Sequence, residues 1–380
     1  MAGDEAEAAT LAGGENHDLI IETRNAAAVV TFDRPRALNA LSIAMRQAIS
    51  EALPGFARDP VIYALVLRSN SARAFCCGGD VREMTALGAR DPEVAARMLG
   101  EEYRLIWALE CFSKPTVALM DGLVMGSGVG LTLYGTHRVG AAGYTFAMPE
   151  TAVGLFPDVG VTYTLARLPD QIGVYLALTG ARLNRADALS LGLLTHTIDA
   201  SRFDEITARM TQAEPVDVVL DELHEAPGAE AREAATLTRE RRDVIARCFG
   251  GASVEAILEA LEQVRGAEAA WAASIAADLR TKSPLSLKVS LRYVRAAAMM
   301  DLREVLQTDA LLVQSFVRDS DFAEGARALL IDKDGAPQWS PATLDAVEDV
   351  MLDRYFDRAA YPALDLPLRS VLQDTQRGLQ

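Results

Sequence analysis

The segment Asp121-Gly122-Leu123-Val124-Met125-Gly126-Ser127-Gly128-Val129-Gly130 joins two apolar segments of different character, and it indicates most clearly how this chain folds. Thr116–Met120 precedes it and reads as a strand, and Ser127–Tyr134 reads as a helix that starts within it. The run from Pro115 to Gly135 is almost entirely apolar and has the length of a membrane span, about 20 residues. Asp121 and five glycines interrupt it, however. The pattern therefore predicts a buried strand, a sharp glycine turn and a buried helix, not a membrane span.

Outward from this stretch, the first half of the chain alternates strand-like and helix-like segments. Ala27–Phe32 and Ala64–Arg68 read as further strands. Ile43–Leu53, with Ser42 as its N-cap, and Glu93–Glu110 read as helices. Repeated β-β-α or β-α units predict an α/β fold in which helices pack outside a sheet.

The second half of the chain has a different character. Strand signals fade beyond about residue 200, and charged segments with helical periodicity follow one another. These segments are Glu233–Cys248, Val254–Val264, Ala267–Leu279, Ser286–Ala298, Asp301–Val317 and Asp321–Ile331. We therefore predict a disordered leader over residues 1–16, an α/β core over 17–200 and a helical C-terminal region over 201–380.

The chain is long and strongly acidic. It has 380 residues, of which 50% are hydrophobic, so it can bury a large core. Its formal net charge is −16 at pH 7, and its pI is about 4.8. Proteins that bind nucleic acid or anionic membranes present clustered cations to phosphate groups. The composition therefore argues against a nucleic-acid or membrane partner, although an anionic small molecule needs only a few local donors.

The cysteines, the histidines and the N-terminal segment indicate a cytoplasmic protein without a metal site. The four cysteines, two of them adjacent at Cys76 and Cys77, match no zinc spacing and read as reduced packing thiols. The four histidines are scattered, with no pair four residues apart. The first 16 residues are acidic and lack the features of a signal peptide and the arginines of a mitochondrial presequence. We predict no metal, no nucleotide redox cofactor and a cytoplasmic location.

Three segments carry residues that suit catalysis. Ala74–Asp80 contains paired glycines that expose backbone N–H groups, and the stretch around Ser127 opens a helix whose first N–H groups are unpaired. Glu150 and Asp158 place two carboxylates near proline-containing turns. Ser127 does not lie in a nucleophile elbow, because the sequence around it lacks the two outer glycines of G-x-S-x-G. A serine hydrolase is therefore disfavoured.

Taken together and in order, these segments resemble the crotonase (enoyl-CoA hydratase/isomerase) superfamily. The motifs that carry the resemblance are Asp33–Leu41, similar to RPxxLNAL, Ala74–Asp80, similar to AFxAGxD with Cys77 in place of an alanine, Lys114-Pro115, and the glycine segment 122–131. The resemblance implies a crotonase-like spiral of ββα units, followed here by the helical C-terminal region. It also implies an acyl-CoA substrate and no separate cofactor, since CoA is part of the substrate.

Further motifs resemble the 3-hydroxyisobutyryl-CoA hydrolase branch of that superfamily. They are Phe146–Thr151, Gly154–Gly160, Ala177–Gly180, Ser283–Lys288 and Asp321–Ala328. A typical hydratase of the superfamily uses two glutamates, one at the position of Glu150 and one at the position that Gly130 occupies here. The missing second glutamate, together with Asp158 eight residues beyond Glu150, favours thioester hydrolysis over hydration.

The resemblance implies a role for each residue of the site. The backbone N–H groups of Gly79 and Ser127 bind the thioester oxygen as negative charge develops on it. Glu150 is either a general base on water or a nucleophile that forms an anhydride, and Asp158 contacts the 3-hydroxyl of the substrate. Glu102 lines the substrate pocket, although an exposed helix glutamate is an equally good interpretation. The positions around CoA are Arg34, Arg36, Ala37, Leu38 and Gly78, with Lys333 as a further cation.

Two other functions stay open at this point. One is an enoyl-CoA hydratase or isomerase on the same scaffold, and the other is a non-catalytic CoA-binding or assembly protein that keeps the fold. The resemblance also implies a homo-oligomer, a trimer or a hexamer, and a role in valine breakdown.

Overall fold

The computed structural model describes residues 9–10 and 18–377, and its strands form two sheets. The strands are β1 (Ala9–Thr10), β2 (Leu19–Arg24), β3 (Ala27–Phe32), β4 (Ala64–Ser69), β5 (Ala74–Cys76), β6 (Thr116–Met120), β7 (Leu123–Met125), β8 (His137–Gly140), β9 (Thr145–Ala147), β10 (Leu183–Asn184) and β11 (His196–Thr197). One sheet has the order β1-β2-β3-β4-β6-β8-β11, and the other has the order β10-β9-β7-β5.

The centre of the larger sheet is parallel and buried on both faces. β3 pairs with β4, β4 with β6 and β6 with β8, all in parallel. All six residues of β3 are buried and alternate between two cores. Ala28, Val30 and Phe32 pack into one core, and Ala27 and Val29 pack into the other. Burial on both faces explains why this strand is a continuous apolar run in the sequence.

The smaller sheet brings the glycine stretch and its neighbouring loops together. β7 pairs in parallel with β5 on one side and with β9 on the other. Each of these strands has three residues, and each is followed closely by a predicted site residue: Gly79 after β5, Ser127 after β7 and Glu150 after β9. The carboxyl ends of parallel strands meet at one edge of a sheet, so these three positions lie close together.

Helices cover the sheets and make up most of the second half of the chain. They are α1 (Ile43–Arg58), α2 (Val81–Arg90), α3 (Pro92–Glu110), α4 (Ser127–Leu133), α5 (Val161–Leu165), α6 (Ile172–Thr179), α7 (Arg185–Ser190), α8 (Phe203–Thr211), α9 (Val216–Leu223), α10 (Ala229–Glu233), α11 (Arg239–Cys248), α12 (Val254–Glu262), α13 (Ala269–Leu279), α14 (Pro284–Ala297), α15 (Leu302–Phe316), α16 (Ser320–Ala326), α17 (Asp349–Tyr355) and α18 (Arg369–Arg377). Short 3-10 turns include Pro35–Ala37 and Glu150–Val153.

The helical C-terminal region packs directly on the core. α15 packs against α3, and α14 packs against α5 and α6. The larger hydrophobic core therefore contains side chains from both halves, such as Ile106 of α3 and Val313 of α15. The domain boundary near residue 200 stays a prediction; the last strand, β11, ends at Thr197.

The α/β architecture predicted from the sequence is confirmed, and α1 is longer than predicted. β3 and β6 have the predicted bounds. The Ser42 side chain caps α1, as predicted, by accepting a hydrogen bond of 3.3 Å from a backbone N–H three residues on. The predicted end of this helix at Leu53 is wrong, because the helix continues through Pro54 to Arg58. Phe56 and Ala57 extend the buried face of the helix and favour its continuation.

Two predicted helices of the second half of the chain have different bounds in the structure. The predicted helix Glu233–Cys248 begins only at Arg239, because Thr238 caps it. The predicted helix Asp321–Ile331 ends at Ala326 and gives way to a π turn. The predicted leader lies outside the described residues, except for β1, which pairs with β2. Within the described ranges, no helix is long and apolar enough to cross a membrane.

Candidate active site

A cavity of about 610 Å³ collects the residues that the sequence predicts for the site. All ten of them line it: Gly79, Ser127, Glu150, Asp158, Glu102, Arg34, Arg36, Ala37, Leu38 and Gly78. Apolar side chains from the second half of the chain, Phe322 and Leu330, also line it. Both halves of the chain therefore build this cavity. A second cavity of about 440 Å³, beside α12 and α14, contains none of the predicted site residues.

The loops that carry Gly79 and Ser127 touch each other. A β-carbon added at Gly79 would lie 3.1 Å from Ser127 Oγ. Gly78 has a φ of +109°, which glycine adopts readily. The backbone hydrogen bonds between this loop and Leu41 use the N–H groups of Leu41 and Asp80, not that of Gly79. The Ser127 N–H is the first of α4 and has no acceptor within the helix. Both N–H groups are therefore suited to bind an oxygen in the cavity.

Glu150 lies directly beside these loops. It begins a 3-10 turn immediately after Pro149. A β-carbon at Gly126 would lie 3.2 Å from Glu150 Oε1, so this glycine makes room for the carboxyl group. Glu150 is 7% exposed, and its Oε2 has no hydrogen-bond partner among the described residues. Burial, followed by the negative charge of Asp158, raises the pKa of Glu150 well above its usual value.

Asp158 is a second buried carboxyl group of the cavity. It is 6% exposed, and its Oδ2 accepts a hydrogen bond of 2.8 Å from the Tyr103 hydroxyl. Burial and the charge of Glu102 raise the pKa of Asp158 to about 7, while the hydrogen bond from Tyr103 opposes this rise. Two carboxyl groups with raised pKa values in one cavity suit proton transfer near neutral pH.

Glu102 is buried, so its alternative interpretation as an exposed helix residue is wrong. It lies on α3 and is 1% exposed. Its Oε2 lies 2.6 Å from Nη1 of Arg46, a residue of α1 that is 3% exposed. Glu102 Oε1 and Arg46 Nε have no hydrogen-bond partner among the described residues. The sequence did not reveal this ion pair, nor did it reveal Tyr103 as the partner of Asp158.

Removing the charge of Arg46 is expected to destabilise the folded chain. Arg46→Met leaves Glu102 buried without its cation, and such a loss typically costs about 3–5 kcal/mol of unfolding free energy. The double variant Arg46→Met/Glu102→Gln removes both charges and should recover most of the loss. Urea denaturation measures both changes. A double variant as unstable as Arg46→Met alone would contradict this account of the pair.

The cavity also presents cations that are suited to an anionic ligand. Besides Arg46, these are Arg34, Arg36, Arg82 and Lys333. Arg34 forms ion pairs with Asp80 at 2.8 Å and with Asp18 at 3.2 Å, so its charge is already compensated. Arg36 and Lys333 are exposed. These two side chains are therefore better placed than Arg34 to reach an external phosphate.

Asn39 explains why the segment Arg34–Leu38 lies at the cavity. Asn39 is fully buried, and its Nδ2 donates hydrogen bonds to the backbone oxygens of Ala74 and Phe75, at 3.0 and 3.1 Å. Its Oδ1 accepts a hydrogen bond of 2.7 Å from the Arg34 N–H. The Asn39 side chain thus links the segment Arg34–Leu38 to β5, and the loop after β5 carries Gly79.

Position 130 has no room for a side chain. A β-carbon added at Gly130 would lie 2.7 Å from Val159 Cβ and 2.8 Å from Ile106 Cδ1. Both neighbours belong to the buried core. The space that a second glutamate would need is therefore filled by packed apolar side chains.

Metal-ligating residues do not converge in the part of the chain that the structure describes. No group of three or more histidine, cysteine, aspartate or glutamate side chains there could hold a metal ion. The four cysteines are free thiols. Cys77 lines the cavity, and burial raises the pKa of its thiol, which disfavours the reactive thiolate.

The class of this protein can be recognised from its two sheets, its glycine loops and this cavity. The chain matches the enoyl-CoA hydratase/isomerase family over residues 27–356 and belongs to that family. The predicted crotonase-like fold is therefore confirmed. The structure of a carnitinyl-CoA dehydratase from Mycobacterium thermoresistibile is similar to that of this chain, with a TM-score of 0.84 and 34% sequence identity. The superposition covers 92% of this chain and 99% of the dehydratase chain.

Two named proteins are also similar in sequence to this chain. The mitochondrial 3-hydroxyisobutyryl-CoA hydrolase of Xenopus tropicalis is 39% identical over 344 residues, which are 89% of this chain and 88% of that protein. The mitochondrial 3-hydroxyisobutyryl-CoA hydrolase of Rattus norvegicus is 38% identical over 347 residues, or 90% of this chain and 89% of that protein. The similarity thus covers nearly the whole of both chains.

Proposed function

We propose that this chain hydrolyses the thioester of 3-hydroxyisobutyryl-CoA to 3-hydroxyisobutyrate and CoA. The observation that carries the proposal is the presence of Glu150 and Asp158 in one buried cavity, while the space beside Gly130 is filled. The site thus has two carboxyl groups for hydrolysis but lacks the second glutamate of a hydratase. Relatives named 3-hydroxyisobutyryl-CoA hydrolases, at 39% and 38% identity, support the same reaction.

The cavity supplies the groups that thioester hydrolysis needs. The N–H groups of Gly79 and Ser127 stabilise the negative charge that develops on the carbonyl oxygen. Glu150 either takes a proton from the attacking water or attacks the carbonyl itself and is then released by water. The carbon–sulfur bond breaks, and the CoA sulfur leaves with the electron pair and takes up a proton. Asp158 binds the 3-hydroxyl of the acyl group.

The exposed cations account for the CoA portion of the substrate. Arg36 and Lys333 pair with its phosphate groups, because both are exposed and line the cavity. Ala37, Leu38 and Gly78 line the same cavity and contact the pantetheine arm through their backbones. A few local cations suffice for this anionic ligand even though the chain carries a net charge of −16.

The role of the Ser127 N–H can be tested separately from the role of the Ser127 hydroxyl. Ser127 is the first residue of α4, a position that tolerates proline, and Ser127→Pro removes the N–H together with the hydroxyl. We expect kcat to fall by about 10²–10³-fold. Ser127→Gly keeps the N–H and removes the hydroxyl, and it should retain kcat. Equal effects of the two substitutions on kcat, at unchanged Tm, would contradict the role of the N–H.

The function itself is tested by thiol release from two matched substrates. 3-Hydroxyisobutyryl-CoA and isobutyryl-CoA differ only in the hydroxyl that Asp158 is proposed to bind. We expect release of CoA from the first at a kcat/KM higher by about 10²-fold or more, because buried groups that bind a hydroxyl are left unpaired without it. Asp158→Asn should shrink this preference. Absence of thiol release from both substrates would contradict the proposal.

Three further features are proposed with this reaction. We propose a cytoplasmic location, a role in valine breakdown and a homo-oligomeric assembly, a trimer or a hexamer. The relatives above carry the word mitochondrial in their names, so cell fractionation is the test of location. Light scattering coupled to size-exclusion chromatography tests the assembly, and growth on valine after deletion tests the role.

A further inference from the structure

The loop that carries Asp158 has a backbone conformation that its sequence disfavours. Val159 has a φ of +54° and Gly160 a φ of +77°. The left-handed region suits glycine, whereas a β-branched residue there is a rare outlier. Such a conformation persists only where the surrounding structure enforces it. The contacts of Val159 and Gly160 therefore determine where Asp158 lies.

Asp309 holds this loop from the helical C-terminal region. It lies on α15, and its Oδ2 accepts a hydrogen bond of 2.7 Å from the Gly160 N–H. Its Oδ1 accepts a hydrogen bond of 2.6 Å from the Tyr293 hydroxyl of α14. The Tyr134 hydroxyl donates a hydrogen bond of 2.5 Å to the backbone oxygen of Gly160. Both polar backbone groups of Gly160 are thus held by side chains, the buried Asp309 and the half-buried Tyr134.

Packing alone does not account for an aspartate at this depth. Asp309 is fully buried, and neither of its hydrogen-bond partners is a cation. A buried carboxyl group without a cation weakens a fold relative to an apolar side chain of similar size. Its two oxygens, however, match the two donors that face it. The residue therefore fits the task of holding the Gly160 N–H better than the task of filling space.

Two helices that pack on each other, α3 and α15, hold Asp158 and its loop. α3 supplies Tyr103, whose hydroxyl donates to Asp158 Oδ2 at 2.8 Å. α15 supplies Asp309, which holds the backbone two residues further on. α15 packs directly against α3. A shift of α15 would therefore move the loop relative to Tyr103 and displace the carboxyl group.

We propose that Asp309 is a positioning residue for thioester hydrolysis, which keeps Val159 and Gly160 in the left-handed conformation and so places the Asp158 carboxyl group in the cavity. Asp309 is absent from the cavity lining, so it acts through the loop and not on the substrate. The link to catalysis rests on the proposed function. The effect on the loop rests on the hydrogen bonds alone.

Two substitutions of Asp309 separate its hydrogen bond from its charge. Asp309→Ala removes the acceptor for the Gly160 N–H, and we expect kcat to fall by about 10²-fold, as for a small misplacement of a reacting group. KM should rise by a smaller factor than kcat falls, because the CoA contacts lie elsewhere and only the contact with the 3-hydroxyl is disturbed. Asp309→Asn keeps an amide oxygen as acceptor and should restore most of kcat. An Asp309→Ala enzyme with the kcat of the wild type would overturn the proposal.

A matched control shows whether the loss is merely structural. Asp187 is also a buried aspartate that accepts two backbone N–H groups, those of Thr236 and Leu237, and it does not line the cavity. Asp187→Ala should lower Tm but leave kcat unchanged. If Asp187→Ala lowers kcat as much as Asp309→Ala does, Asp309 has no special positioning role.

A crystal structure of the Asp309→Ala protein keeps the test independent of the reaction. We expect Val159 to leave the left-handed region and the Asp158 carboxyl group to lose the Tyr103 hydroxyl. An unchanged loop overturns the proposal even if the wild-type protein releases thiol. A displaced loop in a protein without thioesterase activity would support the positioning and contradict the proposed function. If Asp309→Ala does not fold, Asp309→Leu serves instead, because it removes the acceptor while filling the buried space with an apolar side chain of similar size; a wild-type loop and kcat in that variant would overturn the proposal.

Discussion

Replacing Glu150 by glutamine is expected to lower kcat for thioester hydrolysis by about 10³-fold, within the usual range for loss of a positioned acid or base. The same substitution is expected to raise Tm. Glu150 is 7% exposed, and its Oε2 has no hydrogen-bond partner among the described residues. Ionising such a carboxyl group in the folded chain costs free energy that a neutral amide does not require.

The gain in stability should depend on pH in a defined direction. Burial and Asp158 raise the pKa of Glu150 in the folded chain above its value in the unfolded chain, about 4.3. Between these two pKa values the folded state binds the proton more tightly, so the contribution of Glu150 to stability falls as pH rises through this window. The Tm advantage of Glu150→Gln should therefore be larger at pH 8 than at pH 5.

Glu101→Gln is the matched control, because Glu101 is an exposed residue of α3. It should change neither kcat nor the pH dependence of Tm. Calorimetry at the two pH values and steady-state thiol release measure both effects. Two results would contradict this account. One is a Glu150→Gln protein that keeps a tenth or more of the wild-type kcat, and the other is a Glu150→Gln protein whose Tm at pH 8 is lower than that of the wild type at pH 8.

Introducing the second hydratase glutamate at Gly130 is expected to damage the fold instead of creating a hydratase. Its β-carbon would lie 2.7 Å from Val159 Cβ and 2.8 Å from Ile106 Cδ1. Overpacking of this kind costs up to about 3 kcal/mol, and a buried unpaired carboxyl group adds to the loss. Any shift of Val159 also moves the neighbouring Asp158. We therefore expect a large fall in unfolding free energy and loss of thiol release.

Gly55→Glu provides a control with the same chemical change. Gly55 lies in α1, and a β-carbon there would meet nothing within 4 Å. Gly55 is an exposed position within the helix, and replacing a glycine at such a position should stabilise the chain by up to about 1 kcal/mol. Urea denaturation and a crotonyl-CoA hydration assay compare the two variants. A stable Gly130→Glu protein that hydrates crotonyl-CoA would show that packing at this position does not decide the reaction.

The sequence predicted Gly79, Ser127 and Glu150 from their motifs and from the family resemblance, but it did not predict the short strands that bring them together. Those strands are β5, β7 and β9, and each has only three residues, which is too short to give a clear pattern in the sequence. Asn39 lies within the motif Asp33–Leu41, and its buried hydrogen bonds explain why this motif is needed. Local chemistry and the order of the strands determine these positions.

Contacts between distant side chains could not be predicted in the same way. Arg46 and Glu102 are 56 residues apart in sequence, and Tyr103 and Asp158 are 55 apart. Which residues pair depends on how α1, α3 and the Asp158 loop pack, and periodicity does not determine that.

The sequence nevertheless contained a usable signal for buried charges. Arg46 lies three residues before Ile49 on the buried face of α1, and Glu102 lies three residues after Leu99 on the buried face of α3. Asp309 lies three residues after Leu306 on the buried face of α15. A charged residue on the apolar face of an amphipathic helix predicts a buried polar contact, because an unpaired charge there would be too costly.

Hydrolysis and hydration by the same protein, measured side by side, distinguish a thioester hydrolase from a hydratase. The purified protein is given 3-hydroxyisobutyryl-CoA and, separately, crotonyl-CoA, while thiol release and loss of the enoyl absorbance are followed. We expect rapid thiol release from the first substrate, little change of the second, loss of the activity in Glu150→Gln and a much lower activity in Asp158→Asn. Loss of the enoyl absorbance without thiol release would contradict the account and identify a hydratase that works without a glutamate at position 130.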